Sequence, residues 1–145
     1  MAKCYPAAAM ASGEFPTESM ELTTILVSRD VERSRDFYRD VLGAQVHYDG
    51  GASACVLQFQ GAWILLVTGG GPTEDKPGVT FAPPEDPDRV SSSFTIRVHD
   101  CRGAYEVLRS RGALFLTPPL ERGREVRCFF RDPDGHLLEI SEVAS

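Results

Sequence analysis

One local pattern occurs twice in this chain, and that repeat constrains the fold more than any other feature. Leu22 to Val27 is rich in β-forming residues. Asp30 follows, and then Val31, Ser34, Phe37, Tyr38, Val41 and Leu42 fall three and four apart, which is one face of a helix. Asp30 suits an N-cap, because its carboxylate can accept from the free amides of the first turn, and Gly43 stands where a left-handed residue ends a helix. About seventy residues later the pattern returns. Phe94 to Val98 reads as a strand, Asp100 as the cap, Cys101, Ala104, Tyr105 and Leu108 as the apolar stripe, and Gly112 as the stop.

Three strand-like stretches follow each helix. The first set is Ala44 to Tyr48, Ala54 to Gln60 and Trp63 to Thr68; the second is Leu114 to Thr117, Glu125 to Arg131 and Leu137 to Val143. Asp132-Pro133-Asp134-Gly135 joins the last two, with Pro fixing φ and Gly closing a type I turn. Each half therefore reads βαβββ. Between the halves, Gly69-Gly70-Gly71-Pro72, Lys76-Pro77-Gly78 and Pro83-Pro84 exclude a helix or a central strand. The expected organisation is a flexible tail at 1–20, a first module at 21–68, a linker at 69–91 and a second module at 92–145, together one domain over 21–145. The linker is either a plain connection or a flap over a ligand site.

Composition sets bounds. The net charge of −6 argues against nucleic acid and against an anionic membrane surface, and no apolar run is long enough to span a bilayer. No targeting segment is recognisable, so the expected location is cytoplasmic. Cys4, Cys55, Cys101 and Cys128 are scattered without a CxxC pair. That spacing disfavours zinc, and free thiols packed as small apolar residues are expected.

Two segments carry a family likeness. Ser34-Arg35-Asp36-Phe37-Tyr38 with Val41-Leu42-Gly43 resembles the SxxFYxxxLG helix of the vicinal oxygen chelate superfamily, which includes glyoxalases, bleomycin resistance proteins and extradiol dioxygenases. Asp132-Pro133-Asp134-Gly135 with Glu139 resembles that superfamily's DPDGxxxE hairpin. The resemblance spans roughly residues 22 to 143. It implies an α+β fold of two tandem βαβββ modules, whose curved mixed sheets surround a cavity, and a homodimer.

It also implies a metal site in the catalytic members: a His near the start of the first strand, a His near the start of the fifth, and a Glu on the eighth and last. Here Glu139 fills the last position. The others fall on Thr24, or Thr23 with a one-residue shift, and on Ser92, or Ser93 with the same shift. Hydroxyls are poor ligands for a divalent first-row metal. His47, His99 and His136 match no ligand position. No cofactor is therefore expected, and a divalent metal only through an atypical site.

Glu139 then has three open roles: pairing with Arg97 or Arg127, hydrogen bonding to a ligand, or general acid or base work. Strand alternation from Thr24, Ser92 and Glu139 puts Leu26, Phe94 and Leu137 on the cavity side, with Phe59, Trp63 and Phe129 as further walls. Such a pocket suits a small, planar organic ligand. Two functions follow from the likeness. One is a binding protein that sequesters an aromatic or peptide natural product, as antibiotic-resistance members do. The other is an enzyme, a lyase, isomerase or dioxygenase, acting through an atypical metal site or through Glu139 alone.

Overall fold

The computed structural model describes residues 13–144, so Cys4 and the first part of the expected tail lie outside the described residues. The elements run β1 (Thr23–Ser28), α1 (Val31–Asp40), β2 (Gln45–Asp49), β3 (Ala54–Phe59), β4 (Ala62–Thr68), β5 (Phe94–Arg97), α2 (Cys101–Ser110), β6 (Leu114–Phe115), β7 (Leu120–Arg122), β8 (Glu125–Arg131) and β9 (Leu137–Val143). Both helices begin as their sequences dictate. Asp30 is extended and accepts from the Arg33 amide at 3.1 Å; Asp100 does the same for Gly103 at 3.0 Å. Both end at a glycine of positive φ, +83° at Gly43 and +102° at Gly112. Cβ-bearing residues rarely adopt that conformation.

Each module makes one mixed, open sheet. The first has the order β1-β4-β3-β2, with β1 parallel to β4 and Thr23 opposite Trp63. The second has the order β5-β9-β8-β6, with β5 parallel to β9 and Thr95 opposite Glu139. The second module departs from the simple repeat in one place. The expected strand Leu114 to Thr117 is shortened to β6, and an unexpected strand β7 pairs the far end of β8. Pro118 and Pro119 lie between the two and lack the amides a continuous ladder would use.

Side chains alternate across each sheet, and one face of each is closed by its helix. Leu26, Leu57, Ile64 and Leu66 of the first sheet and Cys128, Phe130, Leu138 and Ile140 of the second join a single buried core. Phe37 of α1 reaches Phe130 of β8, with ring centroids 6.5 Å apart, so α1 belongs to the packing of both modules. The three described thiols are buried here, and burial pushes the Cys128 thiol up to about 12.

The two likeness motifs turn out to hold each other. Tyr38 donates its hydroxyl to Asp132 Oδ2 at 2.7 Å, and Ser34 donates to Asp134 Oδ2 at 2.8 Å. The Arg29 amide donates to Asp134 Oδ1 at 2.8 Å. The Asp132-to-Gly135 turn thus ties the second module to the first helix of the first. Burial raises the Asp132 carboxyl against the hydrogen bonds of His136, Tyr38 and Asp134. Burial also acts to raise Asp134, but the Arg29 amide, the Ser28 and Ser34 hydroxyls and Arg33 hold it below its ordinary value.

The linker carries no strand, as its glycines and prolines require, yet it is anchored. Gly70 and Phe81 exchange backbone hydrogen bonds of 2.9 and 2.8 Å. Lys76 donates to the Gly71 carbonyl at 2.7 Å and sits 5.0 Å over the Phe81 ring. Further on, Arg29 donates to the Pro84 carbonyl, and Arg131 to the Pro87 carbonyl and to Asp88.

Candidate functional site

The faces turned away from the helices are open. On the first sheet this face presents Thr23, Ile25 and Val27 beside Trp63, Leu65 and Val67, in register. His47 sits edge-on to Trp63, with centroids 4.9 Å apart. On the second sheet the open face presents Thr95 and Arg97 of β5, Leu137, Glu139 and Ser141 of β9, and Glu125, Arg127 and Phe129 of β8.

Charged groups on that second face form one connected line. Arg97 Nη1 donates to Glu125 Oε1 at 3.2 Å and to Ser141 Oγ at 2.8 Å. Ser141 donates in turn to Glu125. Arg127 Nη1 donates to Glu125 Oε2 at 3.3 Å, while its Nε lies 3.7 Å from Glu139 Oε2. Thr95 donates to Glu139 Oε1. The Ser141 hydrogen bond, with help from Arg97 and Arg127, holds the Glu125 carboxyl below its ordinary value.

This donor set does not fit a divalent metal. Among the described residues no three His, Cys, Asp or Glu side chains gather where they could hold one. Thr24 shares the side of Leu26, toward the helix, so the shifted register is the one that puts a residue, Thr23, on the open face. Ser92 precedes β5 by two residues and Ser93 by one. Glu139 accepts from Thr95 on Oε1 and has the Arg127 guanidinium 3.7 Å from Oε2.

The residues expected to line a single pocket are divided among four places. Thr24, Phe59, Trp63 and Phe94 come together in a cleft of about 470 Å³ between the β3–β4 hairpin and β5, with Leu42 and Ile64 as further walls. Phe129, Leu137 and Glu139 share the open face of the second sheet. Ser92 lines a smaller cavity of about 280 Å³ under the linker, where Leu137 and His136 meet Ile25 and Val27. Leu26 lies in the core, because its neighbour Ile25 takes the open face. Arg127 does pair with Glu139, whereas Arg97 pairs with Glu125. Sequence reasoning missed Thr95 and Glu125. The alternation of Glu125, Arg127 and Phe129 along β8 was the available signal. His136 is a tie between modules, its Nε2 lying 2.8 Å from the Val27 carbonyl.

Comparison with known proteins agrees with this architecture. The family model described as Glyoxalase/Bleomycin resistance protein/Dioxygenase superfamily matches residues 22–140. The chain belongs to that superfamily. Within it, the chain is 28% identical over 122 residues to biphenyl-2,3-diol 1,2-dioxygenase 2 of Rhodococcus globerulus, covering 80% of this chain and 58% of that protein. The chain thus spans little more than half the length of that relative. It is 26% identical over 123 residues to glutathione transferase FosA of Serratia marcescens, covering 85% of this chain and 79% of the relative. Among solved structures it resembles TnmS3, an antibiotic binding protein from Streptomyces sp. CB03234, with a TM-score of 0.63, 17% identity, and coverage of 87% of this chain and 97% of that one. At that identity the likeness is one of fold.

Proposed function

We propose that this superfamily member binds and sequesters a small aromatic or peptide natural product without a catalytic metal, in a cavity that a second copy of the chain completes. The observation that carries the reading is the state of Glu139. The carboxylate at the family's ligand position is held by Arg127 and Thr95, and its companions are hydroxyls. A cationic guanidinium beside it opposes a metal cation. The names of the two curated relatives denote enzymes; the proposal parts from them on this donor set. The likeness in fold to an antibiotic binding protein supports the reading.

The second copy is supported by what the open faces expose. Ile25 and Tyr48 on the first sheet, and Leu114, Leu120 and Val143 on the second, are large apolar side chains left in water. Large apolar side chains on these faces offer contact area to a second copy. The edge strands β1 and β5 also leave one side of their ladders unpaired. Among the described residues no helix is long and apolar enough to cross a membrane.

The test is calorimetric titration of aromatic and peptide antibiotics in the presence of a chelator, followed by mass spectrometry of the mixture and sedimentation of the complex. Saturable binding to a dimer, with the ligand recovered unchanged, is the expected result. Conversion of the ligand contradicts the reading, and equally tight binding by a monomer contradicts the shared cavity.

A further inference from the structure

On the open face of the second sheet both carboxylates already face protein donors, and guanidinium donors are left over. Glu125 receives Arg97 and Ser141 on one oxygen and Arg127 on the other; Glu139 receives Thr95 on one and faces Arg127 on the other. A guanidinium carries five N–H donors, more than these contacts engage. Among the described residues, Nη2 of Arg97 and Nη2 of Arg127 donate no hydrogen bond. Exposure is graded along the same wall. The Glu139 side chain is 10% exposed, those of Glu125 and Arg127 30% and 35%, and that of Arg97 57%. A molecule lying on this wall therefore meets the Arg97 guanidinium first, and Glu139 lies deepest. Phe129, opposite Glu139 in register, supplies an apolar surface beside them.

We infer that the ligand is an aromatic acid, that its anionic oxygen is received by Arg127 with Arg97 in support, and that Glu139 does not itself accept from the ligand. This rests on the binding function proposed above and specifies its ligand class. Arg127 is the specificity-determining residue. A planar guanidinium gives two parallel hydrogen bonds to an oxyanion, stronger than neutral ones, and a lysine cannot reproduce that fork.

Two fluorescent probes with one ring system separate these claims. 1-Anilinonaphthalene-8-sulfonate carries an anionic group; N-phenyl-1-naphthylamine does not. The expected result is that the full chain prefers the sulfonate, and that Arg127→Gln weakens it by about tenfold or more, as loss of a charge-assisted hydrogen bond requires. The neutral probe should stay within about twofold, because its apolar contacts do not involve the guanidinium. Arg127→Lys should recover part of the loss. Glu139→Gln should leave sulfonate binding unchanged or tighten it, since it removes a neighbouring negative charge. If melting curves show that Arg127→Gln does not fold, Arg97→Gln at the more exposed position should still weaken the sulfonate selectively. Equal losses of both probes, or a weakening by Glu139→Gln as large as that by Arg127→Gln, overturns the assignment. Binding of neither probe to the unaltered chain sinks the binding function itself, whereas binding of the neutral probe alone sinks only the ligand class.

Discussion

Asp134→Ala should be among the most damaging substitutions in the chain, although the residue sits in a turn. Its side chain is 1% exposed and accepts from the Arg29 amide and the Ser34 hydroxyl, each at 2.8 Å. A hydrogen bond to a charged group contributes about 1.5–3 kcal/mol; the Arg29 amide would lose its carboxylate acceptor, and Ser34 would keep only the Ser28 hydroxyl at 2.9 Å. Taking the low end for each gives a loss of about 3 kcal/mol. The ion pairs with Arg29 and Arg33, at 3.6 and 3.7 Å, add little, because both arginine side chains are half exposed. For a chain of this size the loss corresponds to a fall in Tm of roughly 6–12 °C. Urea unfolding followed by circular dichroism gives the value directly. A loss under about 1 kcal/mol would mean that the motif turn does not hold the two modules together, and the reasoning from these hydrogen bonds would fail.

Other outcomes follow from the same structure. Tyr38→Phe should cost about 1–2 kcal/mol, since Asp132 loses a short hydrogen bond, while Asp132→Asn should cost much less because an amide can donate to the Tyr38 oxygen; denaturant midpoints of the two variants compare them. The contribution of Asp134 depends on pH with a definite sign. Its folded value lies below the ordinary 3.8, so its ionised form contributes fully above 3.8 and that contribution is lost as pH falls through the folded value. The stability gap between the unaltered chain and Asp134→Asn should therefore narrow in acid, as read by urea midpoints across a pH series. Gly69→Ala should loosen the linker, because a Cβ there would stand 2.7 Å from the Phe81 carbonyl oxygen, and faster proteolysis within residues 69–91 would report it. Cys55, Cys101 and Cys128 should resist alkylation until the chain is unfolded, and mass mapping after iodoacetamide treatment checks this.

Much of the architecture was legible because it rests on local rules. Asp30 and Asp100 announce helix starts, Gly43 and Gly112 announce stops, and the repeat of that grammar reveals two modules. The split between β6 and β7 was less legible, since a strand interrupted by Pro118-Pro119 has no simple periodicity. The site was harder for a physical reason. A one-residue shift in a strand moves every side chain to the opposite face. Starting the alternation at Thr24 instead of Thr23 put Leu26 on the cavity side, whereas Leu26 packs in the core. On β9 no such ambiguity arose, because the turn ending at Gly135 sets the register of Glu139. Its partners Arg127 and Thr95 come from different strands, and only sheet pairing brings them together.

The most direct test of the metal-free account is elemental analysis of the protein purified without chelator, paired with melting curves in added manganese, iron, nickel and zinc. The account predicts no stoichiometric metal and an unchanged melting temperature, because Thr23, Ser93 and an arginine-bound Glu139 make no ligand set. Stoichiometric metal with a raised melting temperature, lost in Glu139→Gln, would contradict it and return the chain to the metal-dependent members of its superfamily.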